Sequence, residues 1–141
     1  MRCHTTPLLL STVPESFDAV AVRQWCALGL ESLRRHQREI DELNVYPVPD
    51  GDTGTNLVLT VAAAVEAITA KPEDVNPELL RSLARGALLG ARGNSGVILS
   101  QLLRGLADAL AAIPAADGRA FAAALTAAAD AAYRAVATPV E

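Results

Sequence analysis

The chain has 141 residues, of which 51% are hydrophobic and only 4% aromatic, and its net charge at pH 7 is −4. This length suits one domain, and an alanine-rich composition with few aromatic residues favours packed helices over a sheet, so we expect an all-α protein. The acidic balance argues against a nucleic-acid partner, the two cysteines lack metal-ligand spacing and fit a reducing cytoplasm, and no apolar run reaches the roughly 20 residues of a membrane helix.

Residues 1–15 have no helical period, so we predict a loose N-terminal leader followed by one helical domain over residues 16–141. The first helix is predicted from an N-cap at Asp18 to about Leu43. Its apolar side chains recur every three or four residues, at Val22, Trp25, Cys26, Leu30, Leu33, Gln37 and Ile40. The other face is predicted to be charged and solvated, with Arg23, Glu31, Arg34, Arg35, Arg38, Glu39 and Glu42, and His36 is expected to be exposed there.

A loop over residues 44–54 follows, because Pro47 and Pro49 exclude a helix. Four further helices are predicted at 57–69, capped by Thr55 and Asn56, and at 77–89, 97–112 and 119–137. The last helix is rich in alanine, and its apolar side is predicted to be Phe121, Leu125, Ala129 and Tyr133. Trp25 and Tyr133 are both expected in the core, because each lies on an apolar stripe.

The loop before the second helix carries two carboxylates, Asp50 and Asp52, on irregular backbone. Carboxylates placed in this way can turn toward one point, as a Mg²⁺ ion requires, although an Asp-Gly pair also marks ordinary solvated turns. A calcium EF-hand loop starting at Asp50 is excluded, because its fifth, sixth and twelfth positions would be Gly54, Thr55 and Val61.

A second glycine-rich stretch, GARGNSG at residues 90–96, precedes the fourth predicted helix. It has neither the ending of a Walker A loop nor the glycine spacing of a dinucleotide-binding loop. A glycine turn that opens a helix exposes unpaired N–H groups to an anion such as phosphate, with Ser95 and Asn94 as further donors. A tight turn between packed helices explains the glycines equally well.

Two segments carry a family resemblance: LNVYPVPDGDTGTN, Leu43–Asn56, and GARGNSGVILSQ, Gly90–Gln101. They resemble the two signature loops of the DhaL-type kinase domain, also called DAK2, in the form found at the N-terminus of the bacterial fatty acid kinase. The resemblance implies the fold of the nucleotide-binding subunit of dihydroxyacetone kinase, an antiparallel barrel of about eight helices with ATP and two Mg²⁺ at one end. Since about five helices are predicted here, we expect an incomplete barrel that self-associates and is at best weakly active alone.

The resemblance also implies site residues. Asp50 and Asp52 match the catalytic aspartates that ligate both magnesium ions. The related kinase has a third aspartate just before them; here Asn44 stands nearby, either as a neutral oxygen ligand or as a residue that holds the loop. The positions that approach nucleotide or phosphate are Thr53, Thr55, Asn56, Gly93, Asn94, Ser95 and Gly96.

The function implied by the resemblance is ATP- and Mg²⁺-dependent phosphoryl transfer in the cytoplasm. The acceptor would be a fatty acid carboxylate, presented by a separate carrier protein and converted to an acyl phosphate. A carboxylate is already ionised at pH 7 and needs no catalytic base. The alternatives are a dihydroxyacetone kinase-type subunit that acts on a substrate subunit in trans, and a non-catalytic binding module with the same fold. A homodimer is compatible with each.

Overall fold

The structure, a computed structural model, describes residues 15–44 and 51–136, which form five α-helices. Their bounds are α1 Ala19–Leu43, α2 Thr53–Thr69, α3 Glu78–Gly90, α4 Gly93–Ala109 and α5 Gly118–Val136. Within the described residues the only extended pairing is an isolated bridge between Phe17 and Ala116. The predicted all-α fold is therefore confirmed, while the leader, apart from Glu15, lies outside the described residues.

The helices pack in chain order, and α2 also contacts α4. Gly93 at the start of α4 lies against Asn56, and Gly96 lies against Thr60, so α2 and α4 begin at the same end of the bundle. The core is built mainly from α3 and α4, with the fully buried side chains Leu79, Leu80, Leu106 and Leu110. None of the described helices combines the length and the apolar character needed to cross a bilayer.

The buried side of α5 differs from the prediction. Ala124, Ala128 and Ala132 face the core, whereas Leu125 and Tyr133 are 38% and 76% exposed. Small side chains occupy the buried face of α5 because α4 approaches it closely: a Cβ at Gly105 would lie 2.8 Å from the Cα of Ala128. The expectation that Tyr133 lies in the core is therefore wrong.

Trp25 is also more exposed than predicted, at 40%. Its ring packs edge-on against Phe17 and Phe121, with ring centroids 5.4 and 6.4 Å away. These aromatic contacts join the start of α1 to the start of α5, so Trp25 stabilises the rim of the bundle and not its centre.

Arg23 was predicted on a solvated face, but it caps the C-terminal end of α2. Its guanidinium donates hydrogen bonds to the carbonyl oxygens of Ile68 at 2.9 Å, Lys71 at 2.8 Å and Asp74 at 3.1 Å. Ile68 lies in the last turn of α2 and the other two carbonyls lie in the connector that follows, where a cation interacts favourably with the negative end of the helix dipole. His36, by contrast, is exposed as expected, and its ring Nδ1 contacts only the Ser32 carbonyl of its own helix, at 2.8 Å.

Two helices begin four residues earlier than predicted: α2 at Thr53 in place of Leu57, and α4 at Gly93 in place of Val97. Thr55 and Asn56 therefore lie inside the first turn of α2 and do not cap it. Glycine disfavours helix interiors, which is why these segments were predicted as loop. Here the glycines are needed because side chains at these positions would collide with neighbouring helices.

Candidate functional site

The two glycine-rich segments meet at one end of the bundle, where α2 and α4 begin. A Cβ on Gly93 would collide with the side-chain amide of Asn56, and one on Gly96 would collide with the Thr60 hydroxyl. That hydroxyl is fully buried; it donates to the Asn56 carbonyl at 2.7 Å and accepts from the Arg92 N–H at 3.1 Å. The structure thus brings together Asn56, Gly93 and Gly96 of the predicted site.

The N-terminus of α2 is closed by a carboxylate from α1. Asp41 Oδ1 accepts the Thr55 N–H at 3.0 Å, and Asp41 Oδ2 accepts the Thr55 hydroxyl at 2.7 Å. Gln37 Nε2 donates to the same hydroxyl oxygen at 3.1 Å. The bonds from the Thr55 N–H and the Thr55 hydroxyl, in that order, hold the pKa of Asp41 below its usual value.

Asp41 is the residue of this site that sequence reasoning missed. It lies within the long amphipathic helix α1, 14 positions from Thr55, and belongs to no local capping pattern. The available signal was a carboxylate near the helix end that leads into the glycine loop.

Asp52 stands at the N-cap position of α2, where an aspartate ordinarily accepts an N–H of the first turn. Its side chain makes no capping bond, and only its backbone carbonyl is used, accepting the Asn56 N–H at 2.8 Å. The carboxylate is half-buried and follows Gly51, whose φ of +63° aims the chain into the helix. The Asp52 carboxylate is therefore a possible metal ligand that the helix itself does not use.

The other predicted metal-site residues flank this position. Asp50 lies outside the described residues. Asn44 is the C-cap of α1, its N–H bonds the Asp41 carbonyl at 3.2 Å, and it is therefore at the same end of the bundle as Asp41 and Thr55. Among residues 15–44 and 51–136 no three His, Cys, Asp or Glu side chains form a metal cluster. An uncommitted carboxylate with oxygen-bearing neighbours nevertheless suits Mg²⁺, which takes few protein ligands and retains waters.

Among residues 15–44 and 51–136 no side chain caps the N-terminus of α4, so we call this end open, in contrast to that of α2. Arg92 is its N-cap residue and makes no side-chain capping bond. Gly93 has a φ of +64°, Asn94 is exposed and Ser95 is half-buried. The first turn of a helix carries N–H groups without partners in the helix, at the positive end of its dipole. This end can accept an anion.

Cys26, the described cysteine, offers no competing chemistry. It is buried in the core, and burial raises the pKa of its thiol to about 11. A thiol with this pKa is not a nucleophile at neutral pH.

Comparison with known proteins assigns the family. A family model described as the DAK2 domain matches residues 47–141, well over half of the chain. The chain belongs to the DAK2 domain family. Such a domain is a DhaL-like nucleotide-binding module of a kinase-related family, and DAK2 domains work within multi-subunit or multidomain systems.

Similar proteins are much longer. An uncharacterized protein of Staphylococcus saprophyticus is 46% identical over 113 residues, which cover 80% of this chain and 20% of that protein. Protein YloV of Bacillus subtilis is 44% identical over 126 residues, covering 89% of this chain and 23% of YloV. An uncharacterized protein of Staphylococcus aureus strain USA300 is 42% identical over 113 residues. The chain spans about a fifth of the length of the relatives it matches.

Proposed function

We propose that this DAK2 domain binds ATP with Mg²⁺ where α2 and α4 begin, and that it serves phosphoryl transfer in the cytoplasm. The observation that carries the proposal is the pairing of an uncommitted carboxylate, Asp52, with the open N-terminus of α4. The contact of Asn56 with Gly93 keeps these two features side by side. A cation site beside an anion site is what a magnesium nucleotide requires.

In this proposal Asp52 and Asp50 hold up to two Mg²⁺ ions, and Asn44 assists as a neutral ligand or by holding the loop. Mg²⁺ bound there supplies charge neutralisation between the carboxylates and the phosphate oxygens. The backbone N–H groups of Gly93, Asn94 and Ser95 receive the phosphates, because they lie in the uncapped first turn of α4. Thr53 and Asn56 border the same space from α2.

The acceptor that we propose is a fatty acid carboxylate held by a carrier protein in trans. One carboxylate oxygen attacks the γ-phosphorus, the bond from that phosphorus to the bridging oxygen breaks, and ADP leaves with the electron pair. No proton has to be removed from an acceptor that is already ionised. This fits the described part of the site, where no histidine is placed, since His36 lies on the exposed face of α1. A dihydroxyacetone kinase-type acceptor is the second candidate, resting on the loop resemblance.

Self-association is proposed on separate grounds. Large apolar side chains are exposed on both outer helices, with Val20 and Leu28 on α1 and Tyr133 and Val136 on α5, each more than half exposed. Burying them against a second copy is favourable.

Calorimetric titration of MgATP tests the nucleotide site. Asp52→Asn should weaken MgATP binding at least about tenfold, because the metal loses a charged ligand, and EDTA should have a similar effect on the wild type. Asp130→Asn is the matched control, since Asp130 is an exposed carboxylate on α5. Equal affinity in the wild type and Asp52→Asn would contradict the assignment, and no binding by a folded wild type would favour a non-catalytic module.

A further inference from the structure

We infer that Asp41 is the positioning residue of this site, and that it acts through Thr55. By capping α2 from outside, it leaves the Asp52 carboxylate free and directs the phosphates to α4. This inference rests on the proposed function, which supplies the ligand whose binding Asp41 would control.

The first turn of α2 is capped by Asp41 of α1 and not by its own N-cap residue, Asp52. With Asp52 as N-cap, Thr55 is the third residue of α2, and its N–H is one that an N-cap carboxylate usually accepts. Asp41 Oδ1 takes this N–H at 3.0 Å. Asp41 has thus replaced the local capping residue, which is why the Asp52 side chain has no bond to its own helix.

The Thr55 hydroxyl has one proton to donate. That proton goes to Asp41 Oδ2 at 2.7 Å, while the oxygen accepts from Gln37 at 3.1 Å. No proton remains for a phosphate oxygen. Thr55, one of the nucleotide-contacting positions implied by the resemblance, therefore acts as the point where α1 holds α2.

The charge of Asp41 disfavours the binding of a phosphate at the start of α2. A carboxylate at the N-terminus of α2 already interacts with the positive end of that helix dipole. A phosphate placed at the same turn would find the N–H of Thr55 occupied and a negative charge beside it. In the adjacent first turn of α4 the N-cap residue, Arg92, makes no side-chain capping bond, so the N–H groups there are left for a ligand.

The packing around Asp41 shows that this arrangement is built in. A Cβ on Gly54 would collide with the Gln37 carbonyl and would lie 3.0 Å from Asp41 Oδ1. Gly54 is buried, so only glycine lets α1 approach closely enough for Asp41 to reach the first turn.

The test measures MgATP affinity by calorimetry in Asp41→Asn, Thr55→Val, their double variant and Thr55→Ser. Asn at position 41 can still accept the N–H, but its amide nitrogen cannot accept the hydroxyl proton. We expect Asp41→Asn and Thr55→Val each to weaken binding about tenfold, the double variant to lose no more than either, and Thr55→Ser to stay within about twofold of wild type. Glu42→Gln is the matched control, because Glu42 is an exposed carboxylate next to Asp41 that pairs with Arg38.

Several outcomes would overturn the inference. One is an Asp41→Asn affinity equal to that of Glu42→Gln. Another is a double variant whose fold-loss of affinity is the product of the two single fold-losses, which would mean that Thr55 contacts the ligand independently. If Asp41→Asn loses helical circular dichroism, the contrast between Thr55→Val and Thr55→Ser decides, and equal affinities there would count against the role.

Amide hydrogen exchange separates this inference from the proposed function. The Thr55 N–H should be protected in the wild type and exchange at least about tenfold faster in Asp41→Ala, which has no side-chain acceptor for it, whether or not ATP binds. If the wild type fails to bind MgATP, the proposed function is wrong. If Thr55 is equally protected in both proteins, the inference is wrong.

Discussion

The starts of α2 and α4 lie side by side but differ in capping: the first is capped by a carboxylate, and the second has no side-chain cap. At α2, Asp41 accepts the first-turn N–H of Thr55 at 3.0 Å, so a protein carboxylate occupies the anion position. At α4, Arg92 provides no side-chain cap, and the first turn is left for another partner. Two helix ends with the same intrinsic preference for anions thus receive different roles in the function that we propose: α2 presents the carboxylate of Asp52 to a cation, and α4 presents N–H groups to an anion.

The largest expected effect comes from obstructing the open end. Gly93→Ala places a Cβ against the Asn56 amide at a φ of +64°, so the start of α4 has to move. We expect MgATP affinity to fall about 100-fold, with adenosine affinity changed by less than about threefold, because in the proposed site the N–H groups contact phosphate only. Calorimetry with both ligands measures this.

Gly29→Ala is the control for that substitution, since no atom lies within 4 Å of a Cβ there. Equal losses for ATP and adenosine in Gly93→Ala would mean that α4 does not serve the phosphates, and the distinction between the two helix starts would fail.

A smaller effect is expected from separating the two helix starts. Thr60→Val keeps the side-chain shape but removes the buried hydroxyl that bonds the Asn56 carbonyl at 2.7 Å and the Arg92 N–H at 3.1 Å. Leaving that N–H without its partner should cost about 1–3 kcal/mol in the free energy of unfolding, measured with urea.

Thr69→Val is the matched control, because the Thr69 hydroxyl is exposed and bonds only the Val65 carbonyl of its own helix, at 2.8 Å. A cost for Thr60→Val no greater than that of this control would show that the hydroxyl does not hold α2 and α4 together.

Much of the fold followed from local pattern. The cap at Asp18, whose Oδ1 accepts the Ala21 N–H at 2.9 Å, and the end of α1 at Leu43 were both predicted. The failures share one cause, which is that tertiary contacts decide them. Alanine side chains of α5 face the core in place of Leu125, because α4 comes too close for a larger side chain. Arg23 donates to carbonyls at the end of α2, about 45 positions further along the chain.

The same cause limited prediction of the site. The glycine segments indicated two helix starts by themselves, since glycine turns that open helices have a local signature. Asp41 decides which of the two helix starts is capped. The sequence around Thr55 contains no pattern that predicts capping by a carboxylate from another helix. An uncapped Asp52 is visible only once the competing cap is known.

The smallest effect concerns pH and tests the closed end alone. The pKa of Asp41 is lowered in the folded protein, chiefly by the Thr55 N–H. Ionisation of Asp41 is therefore more favourable in the native state than in the unfolded state. The resulting stability is present above the ordinary pKa of an aspartate and is lost as the pH falls through the lower folded-state pKa. Urea unfolding of wild type and Asp41→Asn between pH 7 and pH 3 should give a stability difference that is constant near neutrality and shrinks under acid. Glu42→Gln, the exposed neighbour, should give no such convergence. A difference between wild type and Asp41→Asn that does not change with pH would mean that the charge of Asp41 is not what closes α2.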